Sequence, residues 1–274
     1  MKSVDKGRIR LYMFDRLAGA AGLYHAVTTR TGGFSPHPYA GLNLGLNTGD
    51  SAENVFRNHA ALARSLHFDV LRIASSRQVH GTRIMHVTRP PSRQPPGRMA
   101  YSHDGFDALI TSLTGITLMV RVADCVPVLL FDPVRRALAV IHAGWKGTLA
   151  GITAGTLAEM SSSCGSQPGD IIAGIGPSIG PCCFCVGRET ADLFYRRVPW
   201  SDSVISERSG MAHIDLREAN RLQLVSGGCR SGNIDMCDIC TSCRSDIFFS
   251  HRREQGKTGR FVLLAGLRAL SDST

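Results

Sequence analysis

Three short stretches each set a metal-binding side chain beside a turn-forming residue. They are "QVHG" with His80, "ADCVP" with Cys125, and "IHAGWKG" with His142. Two imidazoles and one thiolate suit Zn2+, and three protein ligands leave a fourth coordination position for substrate, the pattern of catalytic rather than structural zinc. A metal would hold Cys125 deprotonated and make nearby water more acidic. Asp124 precedes the sulfur directly, where it could accept a ligand's hydrogen bond or carry a proton. A chain with 10 His and nine Cys offers many such triples, so buried imidazole and thiol packing is the alternative.

Elements in the sequence can bring these residues together. "RVADCVPVLLFD" and "ALAVIHA" read as consecutive buried strands, which puts Cys125 and His142 at one sheet edge. "FDALITS", "ITLMVRV", "DIIAGIG", "DIFFSHRR" and "GRFVLLAGL" read as further strands, as do "AGLYHAVTTR", "VLRIASS" and "TRIMHV". Asp50 or Ser51 caps a helix with Val55, Leu62 and Leu66 on one face. A second helix follows "GWKG", with Leu149, Ile152, Thr156 and Met160 on one side. A third starts at Asp215 and stops at Gly227-Gly228. "RPPSRQPPGRMA" is Pro-rich and predicts a loop. Strands adjacent in sequence outnumber helices, so the expectation is an α/β protein with mixed sheets.

The bulk properties fit a folded enzyme. The chain has 274 residues, 43% hydrophobic and 19% charged, with no repeat, and reads as a single domain over 1–274. The start lacks the apolar run of a signal peptide, and no stretch is long and apolar enough for a membrane span. With nine cysteines, an odd count, this predicts reduced thiols in a cytoplasmic protein. The formal charge is +9 and the pI about 9.4. The basic residues are scattered and form no nucleic-acid signature, so a small anionic substrate is expected rather than nucleic acid or membrane.

"TTRTGG", "LNLGLNTGD", "RQVHG", "ADCVP", "AVIHAGWKGT", "AGIGPSIGPCCF" and "CTSCRSDIFFSHRREQGKTGR" together resemble the YfiH/LACC1 family, in the family's order over nearly the whole chain. The resemblance implies a mixed-sheet α/β sandwich and a zinc site at His80, Cys125 and His142. It implies a purine nucleoside phosphorylase that also deaminates adenosine and cleaves methylthioadenosine. The catalytic candidates are Asp124, Cys125 and His142, and a monomer or homodimer is expected. At position 185, where many relatives carry an acidic residue, this sequence has Cys185; the departure bears on the deaminase activity.

Other readings attach to the same residues. Older family naming suggests a copper polyphenol oxidase, and copper outcompetes zinc in most nitrogen and sulfur sites. Yet a multicopper oxidase needs about four coppers and many histidines, and this sequence has no His-x-His pair. A cysteine hydrolase with Cys125 as nucleophile and His142 as base is a further alternative, as is a factor that edits peptidoglycan precursors. For phosphorolysis, phosphate must lie against C1′ while the purine leaves through an oxocarbenium-like transition state. Arg30 beside Gly32-Gly33, Lys146 at a strand-to-helix turn, and Arg252 in "SHRR" are the anion-binding candidates. Trp145 could stack on a purine or wall the core. Asn43 and Asn47 could bind sugar or hold turns, with turns favoured. Cys237, Cys240 and Cys243 form C-x2-C-x2-C without the fourth cysteine of a ferredoxin run, since Ile247 stands in its place. Core and loop thiols are the expectation there, with Cys182, Cys183, Cys185 or Cys229 able to join only through the fold.

Overall fold

The structure, a computed structural model, describes residues 1–91, 97 and 99–269. Much of the Pro-rich segment expected as a loop lies outside the described residues. The described chain forms sixteen strands: β1 (Lys2–Lys6), β2 (Ile9–Met13), β3 (Leu23–Thr28), β4 (Ile73–Arg77), β5 (Ile84–His86), β6 (His103–Asp104), β7 (Ala108–Thr111), β8 (Thr117–Val122), β9 (Val126–Asp132), β10 (Ala137–Ala143), β11 (Ile172–Ile175), β12 (Cys185–Val186), β13 (Ile205–Arg208), β14 (Met211–Ile214), β15 (Ile234–Met236) and β16 (Phe261–Leu267). Six α-helices accompany them: α1 (Ala52–Leu66), α2 (Trp145–Leu149), α3 (Ile152–Cys164), α4 (Arg188–Arg197), α5 (Ser201–Val204) and α6 (Leu216–Ser226).

Two large sheets face each other. One runs β1-β2-β3-β16-β8-β4-β6 and the other β15-β11-β9-β10-β7-β5. A small sheet of β12, β14 and β13 stands apart. Both large sheets are mixed: β4 pairs parallel with β8, and β11 with β15, while β9 and β10 are antiparallel. Successive side chains of a strand point to opposite faces, and β9 shows the consequence. Leu129 and Phe131 join the core between the sheets, with Val120, Val140 and Leu263. Val128 and Leu130 join the core under α3 and α6, with Leu157, Met160, Leu216 and Leu224. A third core puts Leu62 of α1 against Met119 and Leu264, on the outer face of the first sheet. The layers are therefore helix, sheet, sheet, helix. The strands read as unbroken apolar runs because both of their faces are buried.

Local signals hold in most places. Ser51 caps α1 by accepting from Asn54 N–H, and Asp215 caps α6 by accepting from Arg217 and Glu218 N–H. Three expectations need correction. "RVADCVPVLLFD" is not one strand: Arg121 and Val122 end β8, residues 123–125 bend, and β9 starts at Val126. The helix after "GWKG" is broken at Gly151, whose φ of 81° cannot continue a right-handed helix, so Leu149 and Ile152 stand on separate helices. "DIFFSHRR" is not a strand: residues 245–253 form turns interrupted by irregular chain at 248–250, and Phe248 and Phe249 are buried as side chains of that loop.

Candidate metal centre

Cys125 lies one residue before β9 and His142 is the penultimate residue of β10, where it pairs with Pro127. The antiparallel register thus delivers both to one sheet edge. His80 follows β4 on a turn and reaches the same place, its ring centre 4.8 Å from that of His142. The ligand atoms of His80, Cys125 and His142 all lie within 4.8 Å of one another. Gly144 makes this convergence possible: a Cβ there would stand 2.8 Å from the His80 ring and 3.3 Å from the Cys125 sulfur. Two residues of the site have left-handed backbones that non-glycine residues avoid, His80 with φ 59° and Asp124 with φ 91°. Such strain persists only where the surroundings enforce it.

The enforcing group at His80 is Asp107, which the sequence reading did not single out. This fully buried carboxylate accepts from the backbone N–H of His80 at 2.9 Å and of Gly81 at 2.8 Å. It also bonds His142 Nδ1 at 2.8 Å, which leaves Nε2 as the ligand atom. Asp107 thus orients the His142 imidazole and fixes the backbone turn that carries His80. Burial pushes its acidity toward the neutral form, but His142 and the surrounding N–H groups outweigh that and hold it below the ordinary carboxylate range.

Asp124 occupies a different place from the one expected of an orienting acceptor. Its carboxylate takes the Thr241 hydroxyl at 2.6 Å and the Arg252 N–H at 2.7 Å, and its carbonyl takes Ile179 N–H. It braces the loops beside the site and lines the cavity. Both aspartates precede apolar strands, so sequence position alone did not distinguish them.

The electrostatics favour a thiolate. Burial pushes the Cys125 thiol up, but the His142 charge and hydrogen bonds from His142 and His80 bring it down to about 6. Burial pushes His142 down, but Cys125 and Asp107 together raise it to about 9. A thiolate and two oriented imidazoles at these separations are a donor set that Zn2+ accepts, with room for a ligand on the cavity side.

That cavity holds about 500 Å3. Its walls include Tyr101, Trp145 and Phe184, and its cations are Arg77, Arg121, Arg252 and Arg260. Arg121 is 5% exposed; its Nε donates to Leu44 carbonyl, its guanidinium lies 5.1 Å from the centre of the Tyr101 ring, and neither Nη1 nor Nη2 has a hydrogen-bond partner among the described residues. Of the three anion-binding candidates from the sequence, only Arg252 lines the cavity. Arg30 is spent elsewhere, on the carbonyls of Ala40 and Ser245 and on Glu254 at 3.0 Å. Lys146 lies over the Trp145 ring, outside the cavity lining. Arg121 was missed because it sits inside an apolar strand, where alternation alone assigns a buried side chain and says nothing of charge. Asn43 is buried and holds a turn with Thr48 and Asp50, while Asn47 lines the cavity. Cys185 contacts Met211 and lies outside the cavity lining.

The model of the family described as multi-copper polyphenol oxidoreductase laccase matches residues 24–268. The chain belongs to this YfiH/LACC1 laccase-domain family. One family relative, a purine nucleoside phosphorylase of Bacteroides thetaiotaomicron, is 38% identical over 266 residues, covering 96% of this chain and 97% of that one. Another, the adenosine deaminase RL5 of an unknown prokaryotic organism, is 35% identical and covers 92% of this chain and 97% of its own length. Within the family, the crystal structure of YlmD from Geobacillus stearothermophilus superposes with a TM-score of 0.89 at 35% identity, covering 97% and 98% of the two chains. The mixed-sheet α/β sandwich expected from the sequence is the fold of the family.

Proposed function

We propose that this chain is a zinc-dependent purine nucleoside phosphorylase with adenosine deaminase side activity, acting as one cytoplasmic catalytic domain over residues 1–274. The observation that carries the reading is Arg121, a buried guanidinium with two free Nη groups in the same cavity as His80, Cys125 and His142. A buried cation with unmet donors calls for an anion. The names of the relatives, phosphorylase and deaminase, supply the reaction class.

Arg121, with Arg260 and Arg252 nearby, would hold phosphate at one side of the cavity. Arg121 replaces Arg30 and Lys146 as the leading phosphate ligand in this reading. Tyr101, Trp145 and Phe184 offer aromatic faces to a purine. When bound at His80, Cys125 and His142, zinc supplies a Lewis-acidic charge facing that space. Asp107 keeps the His142 imidazole aimed and fixes the backbone at His80, and Asp124 keeps the Arg252 loop in place and puts a carboxylate in the cavity lining. No helix of the described residues is long and apolar enough to cross a membrane.

Zinc-loaded protein incubated with adenosine and phosphate should yield adenine and ribose 1-phosphate by chromatography. Methylthioadenosine, inosine and guanosine should be cleaved likewise, and inosine should form from adenosine without phosphate. A zinc-loaded sample that releases no base from any of the four overturns the reading. One arrangement favours a second reading: Cys125, His142 and Asp107 form a thiol–imidazole–carboxylate line, as a cysteine hydrolase requires. Rapid alkylation of Cys125 by iodoacetamide in metal-replete protein would support that reading, because a ligated thiolate is not free to attack.

A further inference from the structure

Four cysteines from two separate segments meet beside the loop that carries Asp124. Cys182 and Cys183 follow β11, and Cys240 and Cys243 follow β15. Their four sulfurs lie within 4.8 Å of one another. The Cys243 sulfur stands 3.6 Å from that of Cys182 and 3.4 Å from that of Cys183. A disulfide needs about 2.05 Å, so neither pair is bonded. A tetrahedral ion with metal–sulfur bonds of about 2.3 Å places its sulfurs roughly 3.8 Å apart, close to these separations.

The surroundings are built for this convergence. Ser178 and Cys240 form a parallel bridge, and Thr241 N–H donates to the Ser178 carbonyl, which fixes the two segments in register. Gly180 N–H donates to the Cys240 sulfur at 3.2 Å, and Cys243 N–H points at the same atom. A Cβ at Gly180 would stand 3.2 Å from Cys240 Cβ and 3.3 Å from the Cys182 sulfur, so glycine lets the loops close. The sulfurs crowd one another. Burial and the neighbouring sulfurs push the Cys182 thiol up, and Cys183 pushes Cys243 up. Burial also pushes Cys240 up, but the two N–H groups outweigh it and bring that thiol down. Four such thiols ionise together only if a cation offsets their charge.

We propose that Cys182, Cys183, Cys240 and Cys243 form a second metal site, holding one structural Zn2+ through four thiolates and fastening the segment after β11 to the segment after β15. All four coordination positions are filled by the protein, the mark of a site that holds structure rather than turns over substrate. Each thiol gives its proton to solvent on binding. Cys237, although part of the C-x2-C-x2-C run, is not in the cluster. What the ion fastens is the wall of the cavity. Ile179 and Thr241, one on each segment, both bond Asp124, and the carbonyls of Cys183 and Cys185 receive Arg252 Nη1.

The test is metal content of the full chain, purified without chelator under reducing conditions. Wild type should carry two zinc ions per chain. The His80→Ala/Cys125→Ala variant should keep one, and Cys240→Ser/Cys243→Ser should lose one. Cobalt loaded into His80→Ala/Cys125→Ala should give the intense sulfur-to-metal charge-transfer bands of a four-thiolate site. Cys243→Ser alone, at the exposed rim, leaves the buried residues intact; its affinity in chelator competition should fall at least about tenfold. A folded His80→Ala/Cys125→Ala protein that binds no zinc overturns the proposal. So does iron in zinc's place, or four cysteines that react with a thiol reagent equally fast with and without zinc.

Discussion

The two clusters of ligand atoms in this molecule are built differently. His80, Cys125 and His142 bring two nitrogens and one sulfur to the edge of a sheet, and they open onto a cavity of about 500 Å3. Cys182, Cys183, Cys240 and Cys243 bring four sulfurs from two irregular segments, and none of the four lines that cavity. The first has a carboxylate behind its imidazole, Asp107, and a buried arginine across the cavity. The second has backbone N–H groups on its sulfur and lies outside the lining of that cavity. A three-ligand set with an open side can act on a substrate, whereas a closed four-sulfur set can only hold its loops. On the two readings proposed above, the same residue type, cysteine, serves chemistry in one place and fastening in the other.

The largest effect that would sharpen this contrast is expected at Arg121. If the open centre works on phosphate, Arg121→Gln removes charge-assisted hydrogen bonds worth about 3 kcal/mol together. That corresponds to a rise on the order of a hundredfold in the KM for phosphate. Nucleoside KM should move far less, and zinc content should remain that of wild type. A phosphate KM unchanged in a folded, zinc-replete Arg121→Gln protein would break the assignment of the cavity to an anion.

These two centres were not equally legible beforehand. Consecutive buried strands announced the placement of Cys125 and His142, because apolar runs and turn residues encode a sheet edge locally. His80 came with its own turn. The four-cysteine cluster was expected as core and loop thiols, since Cys240 lies 58 positions after Cys182 and the two segments meet only through the fold, in the β11–β15 pairing and the Ser178–Cys240 bridge. Asp107 and Arg121 were hidden for the same reason. A charge inside an apolar run shows its purpose only when its partners from other strands are known. Phe248 and Phe249 made "DIFFSHRR" look like a strand, because an apolar pair packs as well from a loop as from a ladder.

A smaller effect tests how the open centre is oriented. Asp107→Asn leaves one acceptor oxygen where Asp107 uses two; with that oxygen kept for Gly81 N–H at the Oδ2 position, its amide N–H stands at the Oδ1 position, facing His142 Nδ1 and the His80 N–H. That nitrogen would then have to accept, which places the proton on Nε2, the ligand atom. Loss of such an orienting carboxylate typically costs 10–100-fold in metal affinity, and the expectation here is roughly 30-fold for one of the two zinc ions by chelator competition. The four-sulfur ion should be held as in wild type. Equal weakening of both ions would break the contrast, because it would mean that the two centres stand or fall with the general stability of the fold.

The smallest expected effect separates an oriented imidazole from a merely buried one. His142 has Cys125 and Asp107 beside it and is raised to about 9 despite burial. His25 is 1% exposed, accepts Phe14 N–H at Nε2, and has no partner at Nδ1 among the described residues. Burial pushes it down to about 4. The unfolded chain therefore binds this proton before the folded protein does. The neutral imidazole is fully accommodated above about pH 6.5, and stability is lost as pH falls from there toward 4. Between about pH 7 and 5.5 the loss from His25 alone is about 1 kcal/mol. Urea unfolding of His25→Gln, which keeps an acceptor but cannot be protonated, should show that much less acid sensitivity than wild type. If the acid sensitivity persists unchanged, the titrating group lies elsewhere, and the contrast between the two kinds of imidazole loses its energetic basis.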